Sequence, residues 1–335
     1  MPQSALPEKR GTGMARPGIS TAELTKVGAN DVELIVFKMF NSPAEGQEET
    51  LYYGVNVAKV REIMPMPPVT KVPDMPEYAE ALTEVRGEVI PIIDIAKWMK
   101  IHPSPNHLVR PKVIVLNMMS TIVGMIVHDV ERIRRIGWDQ IKQPPAMLQM
   151  KYGGKITGVT RIDSANETLL LILDLESMMS EIGAISMEDV FAADAFGGLH
   201  AQLKGTVLIA DDSSVARRIL KDNLEKAGLT VLAYNDGKQA MEALHQAKAK
   251  LGDKPITEYV QLVVTDVEMP ELDGMTLTSI LKSDEHFKAL PIIINTSLSG
   301  EENREKAKKS GADGFLVKFD VAHMLQEIAK FFPHQ

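Results

Sequence analysis

The sequence predicts a multidomain chain with an all-β N-terminal half and an α/β C-terminal half built on a parallel sheet. Three observations carry this. From Asp31 to about Ser180 the apolar residues fall in short period-two runs, separated by clusters of Pro, Gly, Asn and Asp. From Gly205 onward, β-prone runs alternate with stretches of helical period. Between them, residues 181–204 carry Gly183, Gly197 and Gly198 among scattered Ala and acidic residues, and neither rhythm continues. A length of 335 residues agrees with two domains. The divisions read from these shifts are a tail at 1–30, a first domain at 31–182, a linker at 183–204 and a second domain at 205–335.

The elements follow in order. Residues 1–30 are rich in Pro, Gly and small polar residues, which predicts a disordered tail with a short helix near Thr21 to Val27. Strands are predicted at Leu34–Phe40, Leu51–Val57, Val89–Ile93, Val113–Leu116, Ile122–Val127 and Leu169–Leu173. Leu51, Tyr53, Val55 and Val57 share one face of their strand. Many short strands at this spacing predict small barrels or a sandwich. Brief helices are expected near Ile95 to Lys100 and Leu175 to Ile182, and one in the linker around Met187 to Phe191.

In the second half, five strand–helix pairs are predicted: Thr206–Ala210 then Ser213–Lys226; Leu229–Tyr234 then Gly237–Lys250; Gln261–Thr265 then Gly274–Asp284; Ile292–Asn295 then Glu301–Ser310; Phe315–Val317 then Val321–Phe331. Val215, Ile219, Leu220 and Leu224 make an apolar stripe on the first helix. The strands are near-continuous apolar runs, as strands covered by helices on both faces of a parallel sheet must be.

Composition excludes several classes. The formal net charge of −8 argues against a general nucleic-acid binder, which needs a basic surface. The absence of cysteine removes disulfides, thiolate metal sites and cysteine nucleophiles. The longest apolar run, Leu169 to Leu173, is far short of the roughly 20 residues a bilayer span needs. Lys9 and Arg10 precede no apolar stretch, so no signal peptide is expected. There is no Walker-type loop or kinase ATP motif, and no helix-turn-helix region follows the last helix.

The chemistry is expected where the parallel strands end. Open α/β sheets bind ligands beyond the carboxyl ends of their strands, where the strand order reverses. The first strand ends in Asp211 and Asp212, the third in Asp266, the fourth in Thr296 and the fifth in Lys318. With strand order 2-1-3-4-5, strands one and three flank the switch point and their three Asp converge. Three carboxylates in one crevice repel each other. A divalent cation such as Mg²⁺ relieves that repulsion and neutralises an incoming phosphoryl group. Asp266 can then serve as the attacking oxygen, with Lys318 and Thr296 holding phosphoryl oxygens. The segment Met269-Pro270 followed by Gly274 predicts a tight loop before the next helix. The competing reading is that these acids only cap helices, a common role for Asp.

The segments IADDS (209–213), TDVEMPELDG (265–274), NTS (295–297) and FLVK (315–318) resemble a response-regulator receiver domain over Gly205 to His334. The resemblance implies a flavodoxin-like (βα)5 fold with Asp266 as phosphoacceptor. It implies that Asp212 and Asp266 ligate Mg²⁺, that Asp211 acts mainly through water, and that the backbone carbonyl of Glu268 is the third protein ligand. Thr296 and Phe315 would be the switch pair that reports phosphorylation. Two positions depart from the family: Phe319 stands where Pro usually follows the lysine, and Phe315 replaces a hydroxyl-bearing Tyr.

In the first half, KVREIMPMPPVTKVP (59–73), EVRGEVIPIIDI (84–95), VGMIVHDVERI (123–133) and LLLILDLESMM (169–179) together resemble a CheW-like coupling domain over Val32 to Ile182. This implies two SH3-like barrels on a shared core, and binding to chemoreceptors and the histidine kinase CheA without catalysis. Val60, Glu62, Arg86 and Gly87 fall where the family's partner contacts cluster. Read from the residues alone, Arg86 either pairs with a partner carboxylate or closes a salt bridge across the barrel, and Glu62 is a solvated strand residue. His128 and Asp129 adjoin in a strand and point to opposite faces, so they are read as structural. His102 and His107 lie in a Pro-rich loop without a ligand pattern. The Met residues are read as core and loop filler.

The pairing of the two halves resembles CheV-type chemotaxis proteins. The expectation is a phosphorylation-regulated adaptor that links chemoreceptors to CheA, with phosphoryl transfer to Asp266. It would be cytoplasmic, associated with receptor arrays through its partners, without nucleic-acid binding, membrane insertion or enzymatic turnover. The alternative is a phosphate sink that the coupling half only localises. An aspartate-nucleophile phosphatase is less favoured, because Glu268 stands where such enzymes carry a second Asp.

Overall fold

The computed structural model describes residues 31–332 except 45–46, 80, 104–109, 119–120, 163–167, 184–202 and 299. The expected tail, its helix near Thr21 to Val27, the linker helix around Met187 to Phe191 and His107 lie outside the described residues.

The N-terminal half is two sheets. The first has the order β10 (Ile156–Arg161), β11 (Leu169–Leu173), β2 (Gln47–Asn56), β1 (Asp31–Ala44), β9 (Asp129–Gly137). The second runs β3 (Val60–Pro65), β7 (Lys112–Met118), β8 (Thr121–Val127), β6 (Glu88–Asp94), β5 (Ala81–Val85), β4 (Thr70–Lys71). Alternation along the central strands explains how they pack. In β1, Val32, Leu34 and Val36 enter one apolar cluster while Ile35, Phe37 and Met39 enter another. In β7, Val113 and Val115 face a local cluster while Ile114 and Leu116 face the one β1 also feeds. Each sheet therefore closes over a small interior of its own, and the two share a third core between them. Phe37 and Tyr53 stack there with ring centroids 5.8 Å apart.

Every strand expected in this half is present. Five of its strands, β3, β4, β5, β9 and β10, carry no distinct apolar alternation in sequence. β9 reads DVERIRRIG, and its register against β1 from Gly137↔Asp31 onward is what makes it a strand. The helices α1 (Ile95–Trp98) and α3 (Leu175–Glu181) match the expected ones. Between them α2 (Ala146–Tyr152) was not legible: in seven residues only Leu148 and Tyr152 pack, half-buried, against the core, while Met147 and Met150 are exposed and blur the pattern.

The C-terminal half is a five-stranded parallel sheet in the order β13 (Thr230–Tyr234), β12 (Thr206–Ala210), β14 (Leu262–Thr265), β15 (Ile292–Thr296), β16 (Gly314–Val317), which is the expected 2-1-3-4-5. Helices α4 (Ser214–Lys226) and α8 (Val321–Ala329) cover one face through Ile219, Leu220, Leu224, Leu325 and Ile328. Helices α5 (Gly237–Leu251), α6 (Gly274–Ser283) and α7 (Glu301–Ser310) cover the other. Ser213, Asp236, Asp273 and Asp320 cap four of these helices by accepting a bond from a first-turn N–H.

The halves are not separate. One apolar cluster contains Met178 and Met179 of α3 together with Ile219 and Leu220 of α4. Leu203, read from sequence as linker, is fully buried in that cluster, and its N–H donates to the Ala227 carbonyl.

Candidate functional site

Adjacent parallel strands β12 and β14 are in register at Ala210↔Thr265, so Asp211 and Asp266 leave neighbouring strand ends. The Asp266 N–H donates to the Ala210 carbonyl at 2.8 Å and locks the two together. Asp212 follows, and carboxylate oxygens of Asp211, Asp212 and Asp266 all lie within 4.8 Å of one another. From the end of β16, Lys318 reaches across with Nζ 2.8 Å from Asp266 Oδ2 and 3.0 Å from Asp211 Oδ2. Its backbone N–H is held by the Thr296 carbonyl at 2.9 Å. The sheet thus brings together the three Asp, Lys318 and Thr296, all expected from sequence.

The loop after Asp266 turns as the Met-Pro-x-x-x-Gly spacing predicts. Val267 N–H donates to Asp266 Oδ1 at 2.6 Å, and Gly274 N–H donates to the Val267 carbonyl at 3.1 Å. A Cβ on Gly274 would sit 1.8 Å from the Asp266 carbonyl oxygen, so only glycine permits this return. Thr296 is fully buried, and its hydroxyl accepts from Leu298 N–H at 3.2 Å. Phe315 packs with Ile294 and Ala307, and the Arg304 guanidinium lies 5.0 Å from its ring centroid. Phe319, in the position where Pro is usual, takes φ +70° and rests against the shared core.

The charges show why a cation suits this place. Burial pushes the Asp211 carboxyl up to about 7, and the neighbouring Asp266 carboxylate adds to this against the pull of Lys318. Asp212 is pushed well above the usual range by burial and then by Asp266. Asp211 Oδ2 is buried, with Lys318 Nζ 3.0 Å away. An all-oxygen, multiply anionic donor set fits a hard divalent ion such as Mg²⁺.

Two groups that sequence reasoning missed come from the other half of the chain. Lys59 Nζ is 2.7 Å from Glu268 Oε2 and 3.3 Å from Glu176 Oε1. Glu176, at the start of α3, lies 4.0 Å from Lys318 Nζ. Asn56 also donates to Glu268. Burial by itself would raise the Glu176 carboxyl, but the charges of Lys59 and then Lys318 outweigh it and hold it below the usual range. Burial would lower Lys59, and Glu176 and Glu268 outweigh it and raise it. The available signal was the pair of acids Asp174 and Glu176 inside the apolar stretch LLLILDLESMM, since acids are seldom buried unless paired.

The remaining sequence-selected residues lie elsewhere. Arg86 and Gly87 form the β5–β6 hairpin turn with φ of +52° and +84°, the conformation of a type I′ turn. Arg86 Nε is 2.8 Å from Glu62 Oε1, so the guanidinium closes a salt bridge to β3 while staying largely exposed. Val60 starts β3 opposite Leu116. His128 is buried and its Nδ1 accepts from Phe40 N–H at 2.8 Å, a structural role as read.

Comparison with known proteins gives two family matches: a CheW-like domain over residues 45–183 and a response regulator receiver domain over residues 207–329. The chain is 35% identical to the chemotaxis protein CheV3 of Helicobacter pylori over 303 residues, covering 90% of this chain and 94% of the relative. It is 27% identical to CheV2 of the same organism over 314 residues, covering 90% and 95%. A solved scaffolding protein, TtCheW from Thermoanaerobacter tengcongensis, aligns at 25% identity and a TM-score of 0.35, covering 43% of this chain and 84% of that one.

Proposed function

The chain belongs to the CheV family of chemotaxis proteins, and on that premise we propose how its halves divide the work. It is a chemotaxis coupling protein with a phosphorylatable receiver. In our reading the coupling domain, residues 31–182, joins chemoreceptors to the histidine kinase CheA through the region of Val60, Glu62, Arg86 and Gly87. The receiver, residues 205–335, accepts a phosphoryl group and makes the coupling conditional on it. The tail at 1–30 and the linker at 183–204 complete this division. The protein acts at receptor arrays through its partners and turns over no substrate.

The acceptor is Asp266. Its carboxylate oxygen forms a bond to phosphorus as the bond from phosphorus to the donor breaks, the electron pair leaving with the donor. Asp212 and Asp266, with the Glu268 carbonyl and with Asp211 through water, would hold Mg²⁺. Mg²⁺ bound there neutralises charge on the phosphoryl oxygens. Lys318 places a fixed positive charge beside the same oxygens, and Thr296 offers a hydroxyl donor. Thr296 and Phe315, on the paired strands β15 and β16, carry the change outward as the switch pair.

One observation supports this most directly: Lys318 lies 2.8 Å from Asp266 inside a cluster of three carboxylates at adjacent strand ends. Incubation with acetyl phosphate and Mg²⁺ is expected to leave an acid-stable, base-labile phosphate on the chain, which Asp266→Ala abolishes. A variant that still carries that phosphate moves the acceptor elsewhere. Co-sedimentation with receptor-bearing membranes and CheA, with and without acetyl phosphate, tests the coupling half. A protein that stays in the supernatant in both conditions is not a coupler for that array.

A further inference from the structure

The acceptor site is covered by the other half of the chain. Asp266 is 4% exposed, Lys318 3% and Glu176 4%. The cover is made by the segment Asn56–Lys59 at the end of β2 and by the β11–α3 junction that presents Glu176. Charges alternate across the boundary: Glu268 meets Lys59 at 2.7 Å, Lys59 meets Glu176 at 3.3 Å, Glu176 faces Lys318 at 4.0 Å, and Lys318 meets Asp266 at 2.8 Å. Ser297, just past Thr296, hydrogen-bonds to Glu176 from the receiver side.

The loop that follows Asp266 is tied to the cover as well. Glu271 N–H is shared between the carbonyls of Trp138 at 3.2 Å and Ile141 at 3.1 Å, and its carboxylate meets Lys142 at 3.0 Å. A cavity of about 30 Å³ lies beside the acceptor, with Asp212, Glu268, Lys59 and Glu176 in its wall. That is room for a water or two, and Asp266 itself, 4% exposed, offers a phosphoryl donor no open approach in the closed arrangement. A phosphoryl group would also draw Lys318 to its own oxygens. Glu176 would then keep Lys59 as its neighbouring cation and face a new dianion in a buried place, an arrangement that like-charge repulsion and desolvation both oppose.

We infer that the coupling half is a lid on the acceptor: the closed domain arrangement and a phosphoryl group on Asp266 exclude one another, so phosphorylation opens the chain and uncovers the face that carries Asn56, Lys59 and Glu176. This rests on Asp266 being the acceptor. By linkage the effect is reciprocal, and a partner that binds the uncovered face speeds phosphorylation. The lid works through positioning, since Lys59 and Glu176 hold Glu268 and Lys318 without touching the donor.

A disulfide across the boundary tests it. A Cβ on Gly154 lies 3.7 Å from Ser214 Cβ, within the span a disulfide needs, and the chain has no other cysteine. In the full chain carrying Gly154→Cys and Ser214→Cys, the initial rate of Mg²⁺-dependent labelling by acetyl phosphate is measured oxidised and reduced. In that step the Asp266 oxygen bonds to phosphorus and acetate leaves with the electron pair. The oxidised form is expected to label at least about tenfold more slowly, because an open state of about 0.1–10% is removed. Lys59→Met, which removes the cation that Glu176 and Glu268 share in the closed form, is expected to label about tenfold faster than the parent.

Equal labelling of the oxidised and reduced forms overturns the lid and leaves the acceptor standing. A silent parent with an active Lys59→Met variant supports the lid. Silence in both the parent and Lys59→Met removes the acceptor reading and the lid with it. If only the double-cysteine variant is silent when reduced, Lys59→Met against the parent decides, and equal rates there overturn the lid.

Discussion

Asp266 and Gly274 together show how a single backbone return shapes the site. Asp266 follows the last residue of β14, and the chain must come back within eight residues to start α6. The absence of a side chain at Gly274 is what allows that, since a Cβ there would lie 1.8 Å from the Asp266 carbonyl oxygen. Gly274→Ala is expected to cost at least about 2 kcal/mol through overpacking against backbone. The urea midpoint should fall, and labelling by acetyl phosphate should fall further than stability explains; an unchanged midpoint would show that the loop can shift freely. Asp211, Asp212, Asp266, Thr296 and Lys318 were legible because each ends an apolar strand, and the strand order alone brings such ends together. Lys59 was not legible. It lies just past the expected strand Leu51–Val57, in a short 3-10 turn with no pattern that marks burial, and its two acidic partners are 117 and 209 positions away in the chain. Arg86 was legible as a turn residue, and the structure gives it the salt bridge to Glu62 that was one of its two readings.

Among the elements, α3 carries the most consequence for its length. Asp174 caps it, accepting from the Ser177 N–H at 2.9 Å and the Ser177 hydroxyl at 2.8 Å. The same Asp174 is fully buried beside Glu176. Burial first, and the Glu176 charge second, push its carboxyl up to about 7. The unfolded chain titrates near 3.9. Between those values the native state holds a proton that the unfolded state has lost, so stability falls as pH rises from about 4 to about 7. Asp174→Asn keeps an oxygen for the cap and never ionises. Its stability relative to the parent is expected to improve by up to a few kcal/mol between pH 5 and pH 8, measured by urea unfolding. Asp174→Ala loses the cap and is expected to cost about 1 kcal/mol at pH 5. A parent–Asn difference that does not move with pH would show Asp174 ionised throughout. The five βα units were legible to within a residue or two, because their strands are continuous apolar runs and four of their five helices begin at Ser or Asp caps. β9 and α2 were not, since their few core-facing residues, Val130 and Ile136 in one and Leu148 and Tyr152 in the other, are outnumbered by charged or exposed neighbours.

For the whole molecule, the cluster that joins the two sheets of the first half continues through Met178 and Met179 into Ile219, Leu220 and Leu224 of the second. A shared core of that kind couples the unfolding of the two halves. The full chain is expected to unfold in urea as a single transition, with tryptophan emission and far-ultraviolet circular dichroism coincident. Both tryptophans, Trp98 and Trp138, lie in the first half, so emission reports that half alone while circular dichroism reports the whole chain, including the long helices of the second half. Two separated transitions would mean that the halves are held by their linker and not by their contact.

The sequence by itself determined the two domains, the order of the parallel strands and the residues gathered at their ends. Those features rest on local patterns: apolar period, caps, and charged residues placed where strands stop. Tertiary structure alone decided that the coupling half lies over Asp266, with Lys59 and Glu176 inside the charge network. Contacts between residues so far apart in the chain leave no periodic trace. They arise only when two finished surfaces meet and buried charges must find partners.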